Sequence, residues 1–508
     1  MRGLYLNCTN GSLPASSSYV ASNSIKMNLP DDIGITHGSL VYNPKEWSCK
    51  PEVRVGKHYF AIAGWFVYNG LRNRLDALSQ AIISNGIQVL NDIEAGSFIF
   101  YWWNGEEGRV VNDYMGLSTH YIDLKSEMLK VAPSVKCLYQ PLIHTINPML
   151  KSIMDKKDHL FGDHTLYNGI ERLSPGSGYS ELGKQEYLSL SKEDALPLDE
   201  LVSLVGSLVD RWPVKNRLLP ISGGLDSRLI LSSNHFEFGF TYGPETSPER
   251  KIASHFQSEF QQYHSYNYIE IPKLEIEDAL LDEVAFGVHK KITPSLFSNY
   301  DYVSKQFPEA EFFFDGYIGD ALQRGTYIQL KGVLGELLRL FPLLYHFELS
   351  AKFLMRRRYK ELNEDELAFL LADFNGKTQH LKLNAYQKVT FYETLYGRGA
   401  RNIVFGGNVL VSQIFTSVSP FTSKSVFNSL LHHDFSGAVS YKTIKRLWSK
   451  VNQKYRTVPV ESGYSLTTPR LVIPYIQLLF RLMLHFIPSR ANYSVTLKRK
   501  GSKSYNES

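Results

Sequence analysis

The stretch LLPISGGLDSRLI, residues 218–230, restricts what this chain can fold into more than any other. Leu218, Leu219 and Ile221 form an apolar run of the kind buried on both faces of a parallel sheet. Ser222-Gly223-Gly224-Leu225-Asp226-Ser227 then leads into a helix-compatible segment, 228–232. Two glycines allow a sharp turn and let backbone N–H groups approach a ligand closely. Amides, two serine hydroxyls and the positive end of the next helix would meet at one point, a seat for a phosphate-like anion. Asp226 is a poor neighbour for bare phosphate, so its presence predicts a bridging Mg²⁺. No GxxxxGK[ST] string occurs and no lysine follows the glycines, which excludes a Walker loop.

A chain of 508 residues exceeds one core and predicts two or three domains. With 43% hydrophobic and 21% charged residues the composition is that of a soluble globular protein. A net charge of +5 over this length gives no argument for nucleic acid. Cys8, Cys49 and Cys137 are widely separated, so neither a zinc site nor a disulfide framework is indicated, and a cytoplasmic protein is expected. The first residues lack the apolar core of a secretory signal. No apolar run is long enough to predict a spanning helix.

Residues 1–55 read as polar and irregular. HYFAIAGWFVYNG, from His58, predicts a strand ending in a turn at Asn69-Gly70, and 71–90 has helical spacing. GSFIFYWW, a turn at Asn104-Gly105 and GRVVNDYMG predict an aromatic β-hairpin. The linker 183–199 is polar, and Leu201–Val209 predicts a helix feeding the loop strand. Further strands are expected at 238–242, at 268–271 and at the aromatic run Phe312-Phe313-Phe314, which ends in Asp315-Gly316-Tyr317-Ile318-Gly319-Asp320. Alternating strands and helices predict a doubly wound parallel sheet. The chain beyond Gly332 reads as helical, with a basic cluster Arg356-Arg357-Arg358 expected on a solvated helix face. The apolar segment 473–487 predicts a helix packed on the core, and the basic tail LKRKGSK leaves contact with a membrane surface open.

SGGLDS resembles the pyrophosphate loop of the ATP pyrophosphatases, which split ATP between its α and β phosphates. Gly96-Ser97-Phe98, Asn112–Gly116 through Tyr121, and the exit segment from Thr165 to Gly176 are similar, in that order, to motifs of the asparagine synthetase family. The resemblance runs to about residue 460. It implies an α+β, Ntn-hydrolase-like antiparallel domain (1–195), an α/β ATP pyrophosphatase domain (196–460) and a helical C-terminal extension (461–508). It further implies an AMP-forming, carbon–nitrogen ligase that adenylates a carboxylate and passes ammonia or an amine to it. ATP and Mg²⁺ are the implied cofactors. Ile221, Ser222, Gly223, Gly224, Leu225, Asp226, Ser227, Thr241, Tyr242, Gly243 and Gly316 are the implied nucleotide contacts.

Asp226 and Asp320 become the implied metal ligands and catalytic acids, with Asp315 ranked behind and expected to point elsewhere. Lys454 is the implied cation for the leaving pyrophosphate, with Lys424 and Lys450 as rivals. The chain also departs from the family. Arg2 stands where its nucleophilic cysteine would be, so glutamine hydrolysis is not expected and Cys8 reads as an ordinary thiol. Tyr317, Ala321 and Ser423 replace family acids, which leaves the acceptor open. Val418-Ser419-Pro420-Phe421 is similar to a branch associated with surface polysaccharides, so a sugar uronate is one acceptor. An intramolecular amide synthetase of the β-lactam or macrolactam type, and a non-catalytic scaffold, are the alternatives. A homodimer is left open, and no nucleic-acid partner is expected.

Overall fold

The computed structural model describes residues 1–8, 24–245, 247–290, 296–330 and 332–486. Two antiparallel sheets face each other in the first part of the chain. One has the order Ile170–Arg172, Tyr121–Asp123, Val131–Ala132, Gly3–Leu6, Gly38–Tyr42, Ile25–Asn28. The other is centred on two eleven-residue strands, His58–Tyr68 and Ile93–Trp103, paired from Tyr59↔Trp103 onward. The aromatic hairpin forms as its sequence predicts, Ile93–Trp103 returning as Gly108–Asn112. Asn69 and Gly70 both adopt positive φ (50° and 73°), the conformation a tight two-residue hairpin turn demands. The described residues among 1–55 are not irregular, since three strands of the first sheet lie within them, while 9–23 lie outside the described residues. Leu4 and Leu6 point into the core, but alternation over four residues is too short to show in the sequence.

The second part of the chain holds a five-stranded parallel sheet of order Phe260–Tyr266, Phe236–Tyr242, Arg217–Pro220, Phe312–Phe314, Thr416–Val418. The loop strand Arg217–Pro220 is central. From it the chain winds outward through 236 and 260, then crosses back to 312 on its other side. The strand order therefore reverses between Arg217–Pro220 and Phe312–Phe314, and the crevice beyond their carboxyl ends is the place for a ligand. Helix Leu201–Val209 precedes the loop strand as expected.

Two strands differ from the sequence reading. The third is Phe260–Tyr266, and Tyr268–Glu270 is a short 3-10 turn capped by Asn267. As an edge strand it leaves Gln261 and Gln262 exposed, so it lacks the apolar run that marks a buried strand. Thr416–Val418 lies in a region read as helical; three residues give no detectable period.

The parallel and antiparallel parts are pinned by buried polar groups. Arg172 donates to the carbonyls of Leu395 (2.8 Å) and Gly116 (3.1 Å). Arg401 donates to those of Gly162 (2.7 Å) and His164 (2.9 Å). Trp65 Nε1 donates to the Ser417 carbonyl at 2.9 Å. The buried Asp163 carboxylate binds the Lys377 ammonium and the Ser174 hydroxyl. Burial alone would raise the Asp163 pKa, but Lys377 and Ser174 outweigh it and hold the carboxyl below its ordinary range. Its contribution is thus complete above the unfolded carboxyl's value and fades as pH falls through the lower folded value. Asp163→Ala leaves a mostly buried ammonium unpaired and is expected to cost about 3 kcal/mol. Urea unfolding measures this, and a change of only a few tenths of a kcal/mol would mean that the pair adds nothing to the contact. Among the described residues no helix is long and apolar enough to cross a membrane.

Candidate nucleotide site

The loop lies where the sequence puts it. Leu218 and Leu219 are fully buried, and the Ile221 amide bonds the Phe240 carbonyl at 2.8 Å, so the strand runs straight to the turn. Ser222 Oγ accepts from the Gly224 amide at 3.1 Å and shapes the turn. Helix Asp226–Ser233 follows, and the amides of its first turn have no partner within the helix. Below it, buried Arg228 donates to the carbonyls of Val458 (2.7 Å), Pro459 (3.1 Å) and Gly223 (3.3 Å). That fastens the loop to the 455–460 segment. Leu225 and Ser227 are buried, Ser222 and Gly224 half-buried. Thr241 is buried at the end of the neighbouring strand, and the Gly243 carbonyl is held by Arg250 at 3.0 Å. The Tyr242 phenol feels the carboxylates of Glu249 and Asp315, which sets it in the same crevice.

Across the reversal point, the turn after Phe312–Phe314 is pressed against Asp226. A Cβ on Gly316 would sit 2.6 Å from Asp226 Cβ, and one on Gly319 2.6 Å from Asp226 Oδ1. Between them Ile318 adopts φ +59°, a strained conformation for a β-branched residue. The turn thus brings the helix Gly319–Arg324 onto the loop. Gln323, fully buried, donates to Asp226 Oδ1 at 2.8 Å, and its own Oε1 is buried without a partner.

Three acids meet here. Burial pushes the Asp226 carboxyl up to about 7; Arg324 works against the shift, and the carboxylates of Asp320 and Asp315 add to it. Burial likewise pushes Asp315 up to about 7, against hydrogen bonds from the Tyr317 and Gly316 amides. Asp320 accepts from the Thr326 hydroxyl at 3.1 Å and lies 3.6 Å from Arg324, with two-fifths of its side chain exposed. Its backbone N–H, rather than its carboxylate, is what bonds Asp226. Both acids, ranked Asp320 before Asp315 from the sequence, act on Asp226, Asp320 more strongly, while Asp320 also engages Thr326 and Arg324.

Lys454 does not reach the loop. Its ammonium binds both Glu259 oxygens at 2.8 Å, and Glu259 directly precedes the strand Phe260–Tyr266, at the amino edge of the sheet. The loop follows a carboxyl end, on the opposite edge. Nor do the rivals reach it: Lys424 bonds the Asn91 carbonyl at 2.6 Å and Lys450 bonds Asp199 at 2.9 Å. Arg324 is a cation that does lie in the crevice. Burial opposes its charge, but Asp226 and Asp320 outweigh burial and hold the guanidinium above its ordinary range, and its Nε is buried without a partner.

Two further acids were not singled out from the sequence. Glu249 and Glu461 flank Gly223, whose added Cβ would lie 3.6 Å from Glu249 Cα and 3.4 Å from Glu461 Cβ. Burial and the facing Glu461 carboxylate raise the Glu249 pKa. Five carboxylic acids around one or two arginines make the crevice acidic, and a polyphosphate could settle there only with bridging cations. Among the described residues no three His, Cys, Asp or Glu side chains lie close enough to form a metal cage. Asp226, with Asp320 or Asp315, would offer the one or two carboxylates that an ion of the Mg²⁺ kind takes before completing its shell with phosphate oxygens and water.

A second pocket of about 290 Å³ lies beyond Tyr327 and is lined by Lys157, His159, Arg357, Arg358, Glu393 and Arg398 among others. Tyr327 feels Asp320 on one side and Glu393, Arg358 and Arg398 on the other. Arg358 and buried Glu393 form an ion pair at 3.1 Å, which leaves Arg357 and Arg398 exposed at the rim. The Arg357 expected on a solvated face thus borders a pocket. No model of a known protein family matches this chain, and no curated protein matches it.

Proposed function

We propose that the chain is an ATP-dependent, AMP-forming amide ligase of the asparagine synthetase type, with a glutaminase-like first domain and a pyrophosphate-loop second domain. The observation that carries this reading is the meeting of SGGLDS with Asp315 and Arg324 at the reversal point of a parallel sheet. The Ser222 and Ser227 hydroxyls, with the Gly223, Gly224 and Leu225 amides, hold the β and γ phosphates. Ile221, Thr241, Tyr242 and Gly243 border the nucleoside, and Gly316 allows the close approach. Mg²⁺, when bound by Asp226 and Asp315, supplies charge neutralisation at the phosphates. A carboxylate oxygen of the acceptor attacks the α-phosphorus, the bond to the β-phosphate oxygen breaks, and pyrophosphate leaves. Arg324 stabilises the charge that collects on that leaving group. Ammonia or an amine then attacks the acyl carbon and AMP departs, leaving an amide.

The basic pocket beside the crevice supports an acidic acceptor, a sugar uronate being one of suitable size. Arg398→Ala is expected to raise the acceptor KM about tenfold with the ATP KM unchanged, the signature of lost ground-state binding. Steady-state kinetics with a panel of sugar acids and ammonium, read as amide by mass spectrometry, tests the reading. Absence of amide from every acidic sugar, with amide formed from neutral-backbone peptides, would favour the macrolactam alternative.

Glutamine is not the nitrogen source in this reading. The Cys8 thiol donates to the Leu6 and Val131 carbonyls, each at 3.2 Å, and burial pushes its pKa up to about 12. Burial pushes Cys137 up to about 11. Such thiols are poor nucleophiles near neutral pH. The Arg2 guanidinium meanwhile occupies the space between the domains, bonded to the Ser412 and Phe415 carbonyls and Ser24 Oγ. No glutamate should appear from glutamine, and release that disappears in Cys8→Ala would contradict this.

A further inference from the structure

Among the described residues, two packed helices and the turn after the first carry exposed apolar side chains. Leu334, Leu337 and Phe341 are exposed at helical spacing along Gly332–Leu340 and just beyond it. Tyr475, Leu479 and Leu482 form a second exposed stripe along Ile473–Phe486, which packs beside the first helix. The turn Pro342–His346 extends the face with Leu343, and Phe347 beyond it is 76% exposed. Large apolar side chains left exposed on neighbouring elements mark a candidate interaction site.

We propose that this face seats the protein on an anionic membrane surface. Charge selects the occupant. Ile473–Phe486 contains no acidic residue, and Lys352 and Arg470 are exposed next to the elements that carry the face, against Glu336 in the first helix and the exposed Glu348 after Phe347. The sequence continues past Phe486 with Arg490, Lys498, Arg499, Lys500 and Lys503 against a single acid, Glu507. An apolar stripe bordered by cations is what anionic headgroups attract. A second copy of the chain would set these cations against their own kind. The tail itself has few large apolar residues (Ile487, Tyr493, Val495, Leu497, Tyr505) with which to cover two stripes. The described helix has 14 residues, about 21 Å at 1.5 Å per residue, shorter than a bilayer core, a length that suits lying on the surface.

The inner side of the same helix abuts the crevice. Gln477 bonds the Tyr441 hydroxyl, the Tyr441 ring meets Tyr464 edge-on at 5.7 Å, and Tyr464 is an electrostatic neighbour of Arg324 and Asp226. The docking itself stands independently of the reaction proposed above and is tested without it.

The test is flotation of the full chain with vesicles of phosphatidylcholine, alone or with about one-third phosphatidylglycerol. The chain should rise with the anionic vesicles, less so as salt is added, and poorly with phosphatidylcholine alone. The triple substitution Leu337→Gln, Phe347→Gln, Leu479→Gln changes exposed positions and should lower partition about tenfold or more at an unchanged melting temperature. Three results would overturn the proposal: no flotation with anionic vesicles, equal flotation of the triple variant, or a solution dimer that the triple variant converts to monomer.

Discussion

Asp226→Asn is expected to lower pyrophosphate release about a hundredfold or more, close to 3 kcal/mol of barrier, while the fold survives. The side chain is held by Gln323 at 2.8 Å and by the Asp320 amide, and an amide of the same size can keep part of that arrangement. What it loses is the charge that lets a cation sit between loop and phosphates. Without the cation, Asp315, Glu249 and Glu461 face the polyphosphate directly, and repulsion replaces binding. The variant should therefore also show a weakened response to added Mg²⁺. Turnover within a fewfold of the parent would reduce Asp226 to a turn residue.

The second large effect separates Asp315 from Asp320, the acid that the sequence ranks first. Asp315→Asn is expected to cost about as much as Asp226→Asn, and Asp320→Asn about tenfold or less. Asp315 is half-buried and held by the Gly316 and Tyr317 amides, and its charge is felt at Asp226 after that of Asp320. Asp320 is turned toward Thr326 and Arg324, with two-fifths of its side chain exposed. Its part in the account is to position Arg324 and to offer its N–H to Asp226, and an Asn keeps the second of these. Parallel measurement of kcat and the MgATP KM in the three variants decides the matter. Equal losses in all three would restore Asp320 as a direct ligand.

The features legible in the sequence were those with a strong local signal. A buried apolar strand followed by two glycines located the loop, and three consecutive phenylalanines located its neighbour. Phe260–Tyr266 escaped because an edge strand carries polar residues on its open side, and Thr416–Val418 because three residues cannot show a period. The site was read less completely. Arg324 is a single arginine on a six-residue helix, and nothing in its neighbourhood signals that the turn at Gly316–Gly319 folds it against Asp226, 98 positions earlier in the chain. Glu461 reaches the loop from still farther away. Lys454 looked suitable because a lysine near the end of the chain was wanted, yet its strand edge puts it on the wrong side of the sheet. Spacing along the chain cannot show which edge a side chain occupies when the connection passes through a dozen helices.

The central claim is cleavage of ATP between its α and β phosphates, and ³¹P NMR of the chain with MgATP, ammonium and an acidic acceptor measures it directly. The account predicts AMP and pyrophosphate in equal amounts, dependent on the acceptor and lost in Asp226→Asn. ADP and inorganic phosphate as the products would contradict it.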